Sequence, residues 1–175
     1  MRLFIAIDFS PKEKQIFQSN AEILKKEGIK GNYSRSENYH ITLAFLGEVE
    51  KSELGRLKNV MNSVTFEPVQ ITVDGIGFFK DIAVMNVNHN QELEKLAKAV
   101  REALDQNQFN YDRKPFKAHM TMAREVKIPE GKNISKVSLL TSPCTAIKSE
   151  IILFESVRID GKLTYRKLFS KTACK

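Results

Sequence analysis

Two of the three histidines in this 175-residue chain stand in the same tripeptide frame, inside segments with the composition of β-strands: His40-Ile41-Thr42-Leu43 and His119-Met120-Thr121-Met122. Side chains alternate across a strand, so each histidine shares a face with the threonine two residues on, roughly 7 Å along the chain. Ile41, Leu43, Met120 and Met122 occupy the opposite face, which belongs to a core. The pattern therefore calls for two half-buried strands, one in each half of the chain, each with a His/Thr face left over. Packing of the halves as related lobes brings those four polar groups together across a cleft.

The rest of the chain supplies elements that suit such an arrangement. Residues Met1 to Asp8 read as a buried first strand. Ser10-Pro11-Lys12-Glu13 combines an N-cap serine, a first-turn proline and a glutamate placed to close a capping box, which predicts a helix to about Lys26. Tyr39 to Leu46 reads as a strand ending at Gly47. Leu54, Leu57, Val60, Met61 and Val64 recur at helical spacing. The alternation Val69, Ile71, Val73 predicts a strand loosened by Gly75 and Gly77, with Ile82 to Val87 as its hairpin partner. Behind an Asn90 cap, Leu93, Leu96, Ala97, Val100 and Leu104 line one helical face. Phe116 to Ala123 is a further strand, and Glu150 to Ile159 and Leu163 to Phe169 form a hairpin around Asp160-Gly161. Strands and helices mix without strict alternation, which favours an α+β fold with antiparallel sheets over a doubly wound parallel one. Residues 1–175 are expected to form a single domain.

Composition narrows the partner. A net charge of +7 favours an anionic ligand, because summed positive potential concentrates phosphate-bearing molecules. The apolar run at the N-terminus is too short for a signal peptide or a membrane span. Cys144 and Cys174 lack any Cys-x-x-Cys or Cys/His spacing, so they are expected to be free thiols in a cytoplasmic protein rather than metal ligands or a disulfide. No metal and no cofactor are expected, no membrane association, and a monomeric state.

Hydrolysis of a phosphodiester without metal needs one group to take a proton from water and another to give one to the leaving oxygen. Two imidazoles suit that work near neutral pH. His40 and His119 are thus the candidate acid and base, with the Thr42 and Thr121 hydroxyls donating to non-bridging phosphate oxygens. Arg124, just past the second motif, is the candidate anion anchor. Lys117 has the parity of His119 and is either cleft-facing or simply exposed. His89, in a polar strand-to-helix junction, is assigned no role.

These segments resemble the two-histidine phosphoesterases, and within them the RNA 2',3'-cyclic phosphodiesterases historically called 2'-5' RNA ligases. The similarity lies in Arg2-Leu3-Phe4-Ile5-Ala6-Ile7-Asp8, in Glu37 to Gly47 around the first motif, in Gly75-Ile76-Gly77-Phe78-Phe79, and in Pro115 to Arg124 around the second. It implies two pseudo-symmetric lobes, each an antiparallel sheet with outer helices, about a central cleft. It also implies metal-independent hydrolysis of a 2',3'-cyclic phosphate on an RNA or oligonucleotide end to a 2'-phosphomonoester, with His119 as general base and His40 as general acid. A 2'-5' ligase or 2'-5' phosphodiesterase using the same groups is the enzymatic alternative. A noncatalytic RNA-end-binding module is the other, and would not need both histidines. The family's proline- and arginine-containing bend after the glycine loop is shorter here, Lys80-Asp81, and the next strand carries no aromatic residue. Lys132 to Ser149 shows little likeness to the family.

Overall fold

The computed structural model describes residues 1–174. Two antiparallel sheets dominate it. The first has four strands in the order β3-β1-β8-β9, formed by β1 (Arg2–Asp8), β3 (His40–Glu48), β8 (Glu150–Ile159) and β9 (Lys162–Thr172). The second has five in the order β2-β6-β5-β4-β7, formed by β2 (Lys30–Tyr33), β4 (Val69–Phe79), β5 (Ile82–Val87), β6 (His119–Lys127) and β7 (Cys144–Lys148). The α+β class and the antiparallel sheets agree with the sequence reading.

Helices α1 (Pro11–Lys26), α2 (Leu54–Ser63) and α3 (Gln91–Gln106) bury the apolar stripes expected of them. Ser10 caps α1 through a complete capping box with Glu13, and Asn90 caps α3 by accepting from the Leu93 amide. Each such cap contributes about 1 kcal/mol by satisfying amides that the helix itself leaves unpaired. One cluster of buried side chains runs through both sheets, with Leu3, Ile5, Ile7, Ile41 and Leu43 on one side and Ile71, Met85, Met120 and Met122 on the other. No helix among the described residues is long and apolar enough to cross a membrane.

Three elements escaped the sequence patterns: β2, β7 and the short helix α4 (Ile134–Ser138). In β7 the smaller side chains Cys144 and Ala146 point inward while Ile147 is 70% exposed, so hydrophobic alternation reads with the wrong phase. In β2 the sequence Lys-Gly-Asn-Tyr has no periodicity, and only pairing with β6 makes it a strand. The segment between α4 and β7 is pinned by the buried Asn20, whose amide donates to Ser142 O and accepts from Ser142 N, both at 2.9 Å. Cys144 and Cys174 are free, as expected.

Candidate active site

β3 and β6 approach one another between the two sheets, which brings the His-x-Thr motifs to a common cleft. In the first motif Ile41 and Leu43 are fully buried and His40 and Thr42 half-buried; in the second Met120 and Met122 are buried and His119 and Thr121 half-buried. The two strands repeat one another in finer detail. Leu43 is an extra residue in the β1–β3 ladder, because Ala44 pairs with Ile5 and Thr42 with Ala6. Met122 is its counterpart, because Ala123 pairs with Ala83 and Thr121 with Val84. Such bulges turn two consecutive residues the same way and shift the parity of those that follow. In a regular strand Arg124, five residues beyond His119, would point away from it. The bulge returns Arg124 to the His119 face, as it returns Phe45 to the His40 face opposite Phe4.

Both imidazoles are oriented by the same device. His40 Nδ1 lies 2.7 Å from the carbonyl oxygen of Asn38, and His119 Nδ1 lies 2.7 Å from that of Lys117. A carbonyl only accepts, so in each ring Nδ1 carries the proton and donates it two residues back. Nε2 is then left for the cleft. His40 Nε2 meets Thr42 Oγ1 at 3.0 Å, and with the ring neutral the hydroxyl donates to it. No hydrogen bond of the Thr121 hydroxyl occurs among the described residues.

Aromatic rings pack on each histidine. Phe4 lies 4.9 Å and Tyr165 5.1 Å from His40 between ring centroids, and Phe79 lies 5.3 Å from His119. Tyr165 comes from the β8–β9 hairpin and Phe79 from the β4–β5 hairpin, so each lobe lends its histidine an aromatic edge. This apolar wall pushes the His40 pKa down from 6.5 to about 4 by burial, against the hydrogen bond to Asn38 and the Asp8 charge, which raise it. The charges of Lys14 and His119 lower it further, which places the second imidazole within electrostatic reach of the first. Burial also raises the Tyr165 hydroxyl, while Arg124 and Arg2 pull it back. Arg124 therefore stands near the His40 wall although it belongs to the other sheet, and its guanidinium makes no salt bridge or hydrogen bond among the described residues.

The lowered pKa of His40 fixes a sign for acid stability. The unfolded chain takes up a proton near pH 6.5 and the folded chain only near 4, so between those values unfolding binds protons and stability falls as pH falls. The melting temperature followed by calorimetry should drop through this window more steeply in the unsubstituted protein than in His40→Gln. Parallel curves would assign the drop to carboxylates alone.

Arg101, which the sequence did not single out, ties the motifs together. From α3 its Nε donates to Leu43 O at 3.0 Å, satisfying the bulge carbonyl of β3, and its Nη1 donates to Lys114 O at 2.8 Å ahead of β6. Neither contact is local in sequence, so no pattern could signal it. Lys117 contributes its carbonyl, and its ammonium side is exposed. His89 sits on the surface, 81% exposed, within 3.4 Å of a Glu94 oxygen. Among the described residues no cluster of three or more His, Cys, Asp or Glu side chains could hold a metal. A neighbouring pocket of about 450 Å³ lined by Asp8, Lys14 and Glu37 contains no histidine, and its lysine is spent on Asp8 at 2.6 Å.

A cleft between two antiparallel sheets, with a His-x-Thr strand from each, is the fold of a two-histidine phosphoesterase. The comparisons agree at the level of sequence. The family described as LigT like Phosphoesterase matches residues 8–89, which include the first motif. An RNA 2',3'-cyclic phosphodiesterase of Archaeoglobus fulgidus is 38% identical over 142 residues, covering 77% of this chain and 78% of that one. The enzyme of the same name from Thermotoga maritima is 31% identical over 137 residues, covering 74% and 73%. Among solved structures, Escherichia coli LigT complexed with 3'-AMP superposes with a TM-score of 0.82 at 23% identity, covering 99% of this chain and 98% of that one. The chain belongs to the LigT-like phosphoesterase family and is an enzyme of that class.

Proposed function

We propose that this single two-lobed domain hydrolyses the 2',3'-cyclic phosphate at the end of an RNA to a 2'-phosphomonoester, without a metal, using His40 and His119 as the proton-transfer pair. The observation that carries the reading is the matched tethering of both Nδ1–H groups to backbone carbonyls, which presents two Nε2 atoms to one cleft. The names of the relatives support the substrate class.

In this reaction neutral His119 takes a proton from water, whose oxygen bonds to phosphorus as the bond from phosphorus to the ribose 3' oxygen breaks. Protonated His40 gives its proton to that departing oxygen. The product carries the phosphate on the 2' position and a free 3' hydroxyl, and the histidines end with their protonation states exchanged. Thr42, released from His40 Nε2 when substrate enters, and Thr121 donate to the non-bridging oxygens, and Arg124 offsets the charge that accumulates there.

The low pKa of His40 bears on the division of labour. In the free protein His40 is neutral at pH 7, so its acid role requires the bound phosphodiester anion to raise its pKa. The reverse division, with neutral His40 as base, has that observation in its favour. Both divisions keep the pair and the product.

The deciding assay is incubation with 2',3'-cyclic AMP with and without excess EDTA. Equal turnover to 2'-AMP in both is the expected result. Loss of activity with EDTA and its return with a divalent ion would replace the paired-imidazole chemistry with a metal site.

A further inference from the structure

The strands that carry the two histidines match position by position, yet beyond the threonines their chemistry diverges. Five and eight residues after His40, the cleft face of the first sheet carries Phe45 and Glu48. Phe45 lies under the Arg2 guanidinium at 5.0 Å, and Glu48 sits 3.4 Å from the N-terminal ammonium. At the same offsets from His119 stand Arg124 and Lys127. A second irregularity, with Glu125 at φ 53°, lets Asn32 pair with Arg124 and Lys30 with Lys127. Two residues of β2 thus span three of β6, and the parity shift keeps Lys127 on the face of Arg124 and His119 while the half-buried Val126 packs on the core. Measured along the pairing register, Thr121, Arg124 and Lys127 follow one another at intervals of roughly 7 Å, the length of two strand residues.

Lys30 lies directly across from Lys127. A like-charged pair at this position works against strand pairing, and β2 is the edge of the sheet. None of Arg124, Lys127 and Lys30 forms a salt bridge among the described residues. Glu125 accepts from the Asn32 amide, Asp81 accepts through its backbone from the Val126 amide at 2.8 Å, and neither carboxylate forms a salt bridge with these cations among the described residues. Three exposed cations on one face, continuous with the candidate active site and costing the sheet some of its own stability, are suited to a ligand with regularly spaced negative charges.

Resting on the function proposed above, we propose that Lys127 and Lys30 bind the phosphates of the RNA strand upstream of the cyclic end. The strand leaves the histidines along the β6/β2 edge, passing Arg124. The enzyme thereby favours oligonucleotide ends over cyclic mononucleotides, with the first sheet, through Phe45 and Tyr165, forming the apolar wall at the terminal nucleotide. Binding of this kind follows the backbone and is independent of base sequence.

The test compares kcat/KM for 2',3'-cyclic AMP with that for a trinucleotide ending in the same cyclic group, in the unsubstituted protein and in Lys30→Gln/Lys127→Gln. The unsubstituted protein should prefer the trinucleotide, and the double variant should lose about tenfold of that preference through KM. Its log–log salt dependence on the trinucleotide should become shallower by about 1.4, roughly 0.7 for each single-strand phosphate that the missing lysines no longer neutralise. An unaltered ratio overturns the proposal, and so does a ratio that responds to Lys117→Gln instead, which would send the strand out past the other end of β6. If the unsubstituted protein hydrolyses neither substrate, the proposed function fails. The strip is then judged by binding of the same trinucleotide, which the double variant must weaken in a salt-dependent way if Lys30 and Lys127 form the track.

Discussion

His40→Ala and His119→Ala should each lower kcat on a 2',3'-cyclic phosphate by at least about 10²-fold, the usual contribution of a positioned general acid or base. Both variants should remain folded, since both rings face the cleft and the core contacts of their strands are made by Ile41, Leu43, Met120 and Met122. The double variant should be little slower than either single one, because groups acting as a unit are not additive. The two substitutions differ in their packing consequences. His40 packs against both Phe4 and Tyr165, so its removal leaves a gap in an apolar wall, whereas Phe79 is the one aromatic ring packed on His119 among the described residues. Circular dichroism and melting curves recorded beside the kinetics separate lost chemistry from lost packing. A folded variant of either kind that retains near-normal turnover would remove the imidazole pair from the mechanism.

A substrate with sulfur in place of the ribose 3' oxygen should restore most of the activity of His40→Ala and none of that of His119→Ala. A thiolate departs without being protonated, so the general acid becomes dispensable while activation of water does not. Rescue of the order of the original 10²-fold loss is expected, since the whole contribution of the acid is being bypassed. The experiment addresses the conflict between the family-based division of roles and the burial that holds His40 neutral. Rescue of His119→Ala instead would assign the base to His40, in keeping with its pKa of about 4, and would leave the pair itself intact. Rescue of neither would indicate that protonation of the leaving oxygen is not what His40 supplies.

Much of the architecture was legible because it depends on local rules. The caps at Ser10 and Asn90, the apolar stripes of three helices and the Asp160-Gly161 turn, with φ of 48° and 74°, follow from residue type and spacing. The His-x-Thr frames were legible for the same reason, since a period of two fixes which side chains share a face. The limits of that rule show at Arg124. Its presence near the second motif could be read, but alternation alone sends it away from His119, and only the bulge at Met122, set by pairing with β5, turns it back.

What the sequence determined by itself is therefore the chemistry on offer: two imidazoles, two hydroxyls and a cationic excess, carried on strands whose other faces must be buried. The tertiary structure decided how that chemistry is poised. The tethering of each Nδ1 uses a backbone carbonyl, which no side-chain pattern reports. The lowered pKa of His40 needs Phe4 and Tyr165, brought from opposite ends of the chain. The link from Arg101 on α3 to Leu43 O and Lys114 O, and the alignment of Lys30 with Lys127, depend on contacts between segments separated in sequence. Such segments meet only at a cost in chain entropy that the common core repays, so no local rule encodes their proximity.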